Sequence, residues 1–385
     1  MKKHDCSEFL CEHKKKWVNN TPCFVINKNQ LSDTLEDIKR LLPGEILYSL
    51  KTNNYPFIIK TVSSKKCGFL LSSMEEVYKL VNHYGIDPKK ILFQSPSLTD
   101  KQFKKVKLLG VHRFVIDSWK QLELITSSLG EFSQKPQLLV RINTGVKVNN
   151  PELTYSSDSF LGFPIKEAMK VFEHLSNLRN QDLITLGVHN HLLSQNTYKG
   201  LWKKNLSTIS NFVKELKKNK IKLDIADFGG GYPVEYSSPI PSLDEISKLI
   251  VKTTKEIKTI YPHIHFIFEP GRKVVGESIS LIGQVVHKKK FLDNNIAILN
   301  CSVYTTSMDT LIVNLKLAAK KIGGDNKNME NYVLRGSTPD SLDVFSKCSS
   351  LPGLNSGDNI VFLHAGAYSF YSDFLSLKKP DYIII

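Results

Sequence analysis

Ile225-Ala226-Asp227-Phe228-Gly229-Gly230-Gly231-Tyr232-Pro233 sets an apolar, strand-like run against three consecutive glycines. Without side chains, the backbone amides of such a turn can close around a phosphate, an approach that a Cβ would block. A second signal of the same form follows, where Phe266-Ile267-Phe268 runs directly into Glu269-Pro270-Gly271-Arg272. Two apolar strands ending in glycine and charge suggest one anion-handling mouth. Taken alone, a triple glycine is also a plain turn, and Glu269 is also a simple ion-pair partner for Arg272.

Outward from these two runs, short β-like segments alternate with longer helical patterns. The strands expected are Glu45 to Leu50, Cys67 to Leu71, Ile91 to Gln94, Arg113 to Ile116, Gln137 to Ile142, Ile184 to His189, Lys222 to Asp227 and Ile264 to Phe268. Helices are expected between them, among them Met74 to His83, Trp119 to Leu129, Lys166 to Leu178 and Leu201 to Asn219. Eight such units over about 225 residues have the size of an α/β (β/α)8 TIM-like barrel, placed at residues 27–272. From Lys273 the pattern turns β-rich, with Ser278 to His287, Ala297 to Leu299, Tyr332 to Leu334 and Asn359 to Leu363. Residues 273–385 are therefore expected to form a C-terminal β-rich domain, with which residues 1–26 are grouped. Within the latter, Pro22-Cys23-Phe24-Val25-Ile26 precedes the first barrel strand and is long enough to add a further strand to the barrel.

Composition narrows the class. The 385 residues are 41% apolar and 23% charged, as in ordinary globular proteins, and contain no apolar run long enough to cross a membrane. Six cysteines (Cys6, Cys11, Cys23, Cys67, Cys301, Cys348) form no Cys-x-x-Cys pair, which argues against a zinc ribbon or a disulfide framework and for a cytoplasmic protein. The net charge of +15 is spread as lysine over the whole chain, with only six arginines, and no nucleic-acid-binding motif accompanies it. Neither nucleic acid nor membrane is expected as a partner.

In a (β/α)8 barrel the functional groups sit at the C-terminal ends of the strands. Lys51 follows the first strand, His191 the sixth, Gly229 to Gly231 the seventh, and Glu269 with Arg272 the eighth. Since the eighth strand closes against the first, Lys51 and Glu269 become neighbours despite their distance in sequence. A lysine, a carboxylate and a phosphate cradle at one mouth suit pyridoxal 5'-phosphate (PLP): an amine to bind its aldehyde, a carboxylate for its ring nitrogen and amides for its phosphate. His189-x-His191 leaves a metal site open as an alternative, since residues two apart share a strand face. Arg141, on the fifth strand, is either a supporting or a structural residue.

With these residues in hand, the chain resembles the fold-type III PLP decarboxylases, the group of ornithine, diaminopimelate and carboxynorspermidine decarboxylases, whose barrel is alanine racemase-like. Tyr48-Ser49-Leu50-Lys51-Thr52-Asn53 resembles the family's cofactor-lysine motif, which implies Lys51 as the lysine that binds PLP. His189-Asn190-His191-Leu192-Leu193-Ser194-Gln195 resembles the His-x-Gly-Ser segment, implying that His191 stacks on the pyridine ring and Ser194 reaches the phosphate. The resemblance further implies Gly229, Gly230, Gly231, Gly271 and Arg272 at the phosphate and Glu269 at the ring nitrogen. Gly336-Ser337-Thr338-Pro339-Asp340-Ser341-Leu342-Asp343 resembles a segment that the partner subunit supplies in family homodimers, and His364-Ala365-Gly366-Ala367-Tyr368 one that brings Tyr368 to the phosphate. Tyr304 matches a family active-site tyrosine, and Tyr304, Asp340 and Arg335 are the expected substrate-binding residues.

The departures from the family pattern bear on the chemistry. Pro339 stands where a cysteine usually serves as proton donor, Leu70 where an aspartate is common, and Leu193 in place of the glycine of the histidine motif. An ungapped count of nine residues beyond Tyr304 reaches Val313, where ornithine decarboxylases carry a substrate-binding aspartate. The resemblance implies decarboxylation of a basic amino acid or a derivative. The missing aspartate, Arg335 and the positive charge favour a substrate carrying carboxylates, such as the N-citrylornithine of polycarboxylate siderophore synthesis. Free ornithine, lysine or diaminopimelate, racemisation on the same fold, and a regulatory homologue without catalysis are the competing readings. Against racemisation stands Glu269, because alanine racemases place arginine at the ring nitrogen.

Overall fold

The computed structural model describes residues 6–146, 160–323, 328–369 and 372–385. Eight parallel strands close into a barrel: β1 Glu45–Ser49, β2 Gly68–Leu71, β3 Ile91–Phe93, β4 Arg113–Ile116, β5 Gln137–Asn143, β6 Thr185–His189, β7 Ile225–Asp227 and β8 His265–Phe268. Each pairs with its successor, and β8 with β1 completes the ring through Ile267 beside Glu45 and Phe268 beside Ile46. The protein is thus a (β/α)8 TIM-like barrel with a C-terminal β-rich domain.

Strand periodicity of two sorts the side chains into two sets. One set (Tyr48, Phe69, Phe93, Phe114, Leu138, Val188, Phe266, Phe268 among others) packs outward against the helices in the main core. The other set, Leu47, Leu70, Leu92, Val115, Leu139, Ile225 and Ile267, forms a separate buried cluster with one residue from each of seven strands. It fills the barrel interior as a plug. On β6 the matching residue is Gly187, where a Cβ would lie 2.8 Å from Leu139 Cγ and 3.0 Å from Ile225 Cβ, so the interior has no room for a side chain there. By the same alternation, inward rows continue below and above the plug. Glu45, Arg113 and His265 occupy the lower end, and Ser49, Asp117, Arg141, His189, Asp227 and Glu269 the upper end.

A second sheet contains β9 Ile279–Phe291, β10 Asn294–Leu299, β11 Ala319–Lys321, β12 Met329–Arg335, β13 Val344–Pro352, β14 Asn359–Phe362 and β15 Asp381–Ile384. The N-terminal strand Cys23–Ile26 belongs here rather than to the barrel. It pairs antiparallel with β9 and parallel with β15. All four of its residues are buried because both faces are covered: Phe24 and Ile26 join the main core, while Cys23 and Val25 pack with Leu10, Trp17, Ile282 and Val361. A fully buried strand carries no alternation that would show which sheet it joins.

Other boundaries also move. The expected helix Met74 to His83 is α-helical only over Met74–Tyr78 and widens into a π turn over Lys79–His83. The sequence reading also missed β11, β13 and β15. Val344–Pro352 (Val-Phe-Ser-Lys-Cys-Ser-Ser-Leu-Pro) and Ala319–Lys321 are too polar to look like strands, and their pairing partners supply the missing incentive. Among the described residues, no helix is long and apolar enough to cross a membrane.

Candidate active site

A cavity of about 300 Å³ opens at the upper end of the barrel. Of the residues singled out in the sequence, Lys51, His191, Ser194, Gly230, Gly231, Glu269, Gly271, Arg272 and Tyr368 line it, and so does Arg141. β1 ends at Ser49, and a 3-10 turn over Leu50–Thr52 holds Leu50 and Thr52 buried while leaving Lys51 exposed. That turn is fixed from two sides. Ser49 N–H donates to Pro270 O at 3.3 Å, and Tyr368 N–H donates to Thr52 O at 2.8 Å. The first contact ties Lys51 to the Glu-Pro-Gly-Arg loop, and the second to Tyr368, which is distant in sequence.

The glycine turn has no space for side chains. A Cβ on Gly230 would meet Glu269 O at 2.5 Å, and one on Gly231, where φ is +96°, would meet Leu193 O at 2.2 Å. Glu269 N–H donates to Gly229 O at 2.9 Å and Asn196 N–H to Gly231 O at 2.9 Å, so the glycines are wedged between the loops after β6 and β8. Gly230 N–H donates to His191 Nδ1 at 3.1 Å. Since Nδ1 accepts, neutral His191 carries its proton on Nε2. Burial, with Arg141 and Lys51 nearby, holds its pKa well below the ordinary value.

Arg272 is buried, donates to Tyr236 Oη at 3.1 Å, pairs with Asp309 at 2.7 Å, and has its guanidinium carbon 4.9 Å from the ring centre of Tyr368. Burial by itself favours the neutral form, but the facing Tyr236, Asp309 and Tyr368 outweigh it and keep the guanidinium protonated. Burial pushes the Glu269 carboxyl up to about 7, against Asp227, Arg141 and Lys51, which pull it down. Its Oε1 is buried with no hydrogen-bond partner.

Tyr304, Asp340 and Arg335 are not among the residues lining this cavity. They gather elsewhere in the same chain. Arg335 Nη2 donates to Asp340 O at 2.6 Å, and burial, followed by the facing Asp340 carboxylate, raises the pKa of the Tyr304 hydroxyl. Asp343 ties the two segments together, accepting Val303 N–H at 2.9 Å and Thr338 N–H at 3.0 Å.

The region 28–276 matches the family model described as the pyridoxal binding domain of pyridoxal-dependent decarboxylases. The chain belongs to this family. It is 23% identical over 363 residues to a diaminopimelate decarboxylase of Aquifex aeolicus, covering 91% of this chain and 82% of that protein. Its fold superposes with a TM-score of 0.84 on lysine/ornithine decarboxylase of Vibrio vulnificus complexed with putrescine (21% identity, 97% and 98% of the two chains). It superposes at 0.82 on the Paramecium bursaria Chlorella virus arginine decarboxylase bound to agmatine (21% identity, 98% and 100%).

The protein is accordingly a PLP-dependent amino-acid decarboxylase, and the cavity fits the cofactor. A cradle that any Cβ would fill, an orphaned buried carboxylate oxygen and a protonated arginine surround one space beside an exposed lysine. Sequence reasoning missed Gln94, which lines the cavity just beyond β3, and Asp117, which is coupled electrostatically to Arg141. Gln94 was in reach, since it ends an expected barrel strand. Asp117 becomes meaningful only once Arg141 is seen pointing into the upper end.

Proposed function

We propose that this decarboxylase acts on a basic α-amino acid whose far end is acylated or carboxylated, with N-citrylornithine as the specific substrate, in polycarboxylate siderophore synthesis. The observation that carries the reading is the replacement of an acidic residue by Val313, together with Arg335 beside the Tyr304 and Asp340 pair. A free distal ammonium lacks one carboxylate partner there, whereas a citryl group finds a guanidinium. The diaminopimelate, lysine/ornithine and arginine decarboxylases among the relatives support the basic amino-acid class and keep free ornithine, lysine and diaminopimelate as the second reading. Carbon dioxide release measured in parallel on these three amino acids and on N-citrylornithine tests it. A preference for any free amino acid removes the siderophore reading.

Within the site we assign Lys51 as the amine that anchors the cofactor. Gly230, Gly231, Gly271, Ser194, Arg272 and Tyr368 hold its phosphate, His191 lies against its ring and Glu269 faces the ring nitrogen. Gly229, expected at the phosphate, lies outside the cavity lining with its N–H donated to Asp227 Oδ1, and shapes the turn instead. Bound PLP supplies the sink for the electron pair released when the carboxylate leaves. Glu269 holds a negative charge where the ring nitrogen needs its proton, and burial strengthens that interaction. His191, neutral and fixed through Nδ1, offers a flat ring and an Nε2 proton. Pro339 has no proton to give, and neutral His191 would have to become an imidazolate to supply one, so a tyrosine or a held water is our candidate for returning a proton to the α-carbon.

Tyr304, Asp340 and Arg335 do not line their own cavity, which supports a homodimer in which they complete the partner's site. The division into a barrel at 27–272 and a β-rich unit of 1–26 with 273–385 follows the same logic, one unit anchoring the cofactor and the other reaching across. Mixing inactive Lys51→Ala with inactive Asp340→Ala should restore about a quarter of wild-type activity, since half of randomly paired dimers carry one intact site of two. No recovery after subunit exchange would remove the shared-site reading.

A further inference from the structure

At the upper end of the barrel the inward rows of β6, β7 and β8 end in His189, Asp227 and Glu269, exposed by 0%, 1% and 2%. One ring nitrogen and one oxygen from each carboxyl lie within 4.8 Å of one another. Both His189 nitrogens, Asp227 Oδ2 and Glu269 Oε1 lack a hydrogen-bond partner. His189 Nε2 is 3.4 Å from Glu269 Oε1 without hydrogen-bond geometry. Two buried carboxylates this close repel, and each orphaned oxygen costs free energy. A single proton between them removes both penalties.

We propose that Asp227 and Glu269 share one proton, carried by Asp227 and donated to Glu269, which makes Asp227 a positioning residue that orients Glu269 and keeps the pair singly charged. The surroundings decide which carboxyl is ionised. Glu269 faces the cations Arg141 and Lys51, both of which favour its charged form. Asp227 is faced by Glu269, by His189 and by the Tyr232 hydroxyl, and its Oδ1 accepts Gly229 N–H at 2.8 Å. Burial and then the Glu269 charge drive the Asp227 carboxyl well above its ordinary range, despite His189 and Gly229. His189 cannot serve as the proton store. Burial lowers its pKa to about 4, with Arg141 and Lys51 opposing its charge and Asp227 and Asp117 favouring it. The three donors have the composition of a metal site, but Arg141 and Lys51 already supply the positive charge at Glu269, and the proton satisfies the oxygens a cation would need.

The consequence reaches the cofactor only if Glu269 faces its ring nitrogen, as read above; the proton itself does not depend on that reading. Infrared spectra of the cofactor-free protein should show the carbonyl stretch of a protonated carboxylic acid above about pH 8, where Glu269, raised to about 7, is ionised. Labelling with 13C-aspartate should shift the band and 13C-glutamate should not. Asparagine mimics a protonated aspartate, donating from Nδ2 while Oδ1 still accepts from Gly229. Asp227→Asn should therefore remove the band yet keep PLP affinity within roughly 3-fold, whereas Asp227→Ala weakens it by roughly 10-fold or more. A missing band, a shift on glutamate labelling, or wild-type PLP affinity in Asp227→Ala would overturn the proposal. Should Glu269→Gln bind PLP like wild type while the aspartate band is present, the shared proton stands and the ring-nitrogen reading falls.

Discussion

The two ends of the barrel hold similar groups in opposite conditions. Below the plug, Arg113 grips Glu45 with both terminal nitrogens at 2.9 and 2.7 Å, and His265 Nε2 is 3.1 Å from Glu45 Oε2. Above it, one donor atom each from Glu269, Asp227 and His189 lie within 4.8 Å of one another but leave oxygens and nitrogens without hydrogen-bond partners. One strand contributes to both, since His265, Ile267 and Glu269 are successive inward positions of β8 and the residue after it. Apart from Arg113 Nε, the lower cluster is paired by opposite charges and stabilises the fold; the upper one has two carboxyls side by side and needs a proton to satisfy its oxygens. Titration perturbed in this way belongs at a site that binds something. A single strand period thus divides stability from chemistry.

Breaking each end separately sharpens that contrast. Lys51→Ala at the upper end should reduce carbon dioxide release to background and abolish the visible absorption of the bound cofactor, while thermal unfolding of the cofactor-free protein stays close to wild type. Glu45→Ala at the lower end should do the reverse. It leaves the Arg113 guanidinium buried and uncompensated, costing about 3 kcal/mol in denaturant unfolding, with turnover per folded molecule preserved. A loss of turnover as large as that of Lys51→Ala would refute the division.

Gly230→Ala should act between these extremes. The added methyl must displace Glu269 O, so PLP affinity in a fluorescence titration should fall by roughly 10-fold, with a smaller change in stability.

pH dependence separates the two ends as well, with opposite signs. Burial raises the Glu45 pKa, but the bonds from His265 and Arg113 outweigh it and hold the carboxyl at about 2. Its stabilisation is therefore present above the unfolded value near 4.5 and lost as pH falls toward 2. Glu269 is raised to about 7, so the cofactor-free protein should be stabler below 4.5 and lose that advantage as pH rises from 4.5 to 7. Thermal melts across pH check both. Glu45→Gln should flatten the acid limb and Glu269→Gln the limb approaching neutrality.

Much of this was legible in the chain. The run from Ile225 to Pro233 and the Glu269 to Arg272 loop marked strand ends and a phosphate-sized turn, because glycine and β-branched patterns act locally. The eight barrel strands were recoverable for the same reason. The strand Cys23–Ile26 was not placed, nor was Val344–Pro352 found, because a strand buried on both faces or rich in serine takes its partner from the rest of the fold; Asp381–Ile384, a short run, becomes a strand by pairing with Cys23–Ile26. Likewise the sequence singled out Tyr304, Asp340 and Arg335, but only the fold gathers them outside the lining of the cavity that Lys51 lines.

The sequence by itself determined the period-two rows, the glycine cradle and the residue types of the site, since these follow from local backbone and side-chain chemistry. Tertiary structure decided which of those residues face one another and in which charge state. Proximity between strand ends and burial from water are properties of the closed barrel, and they turn Asp227 from a residue flanking a glycine turn into the neighbour of Glu269.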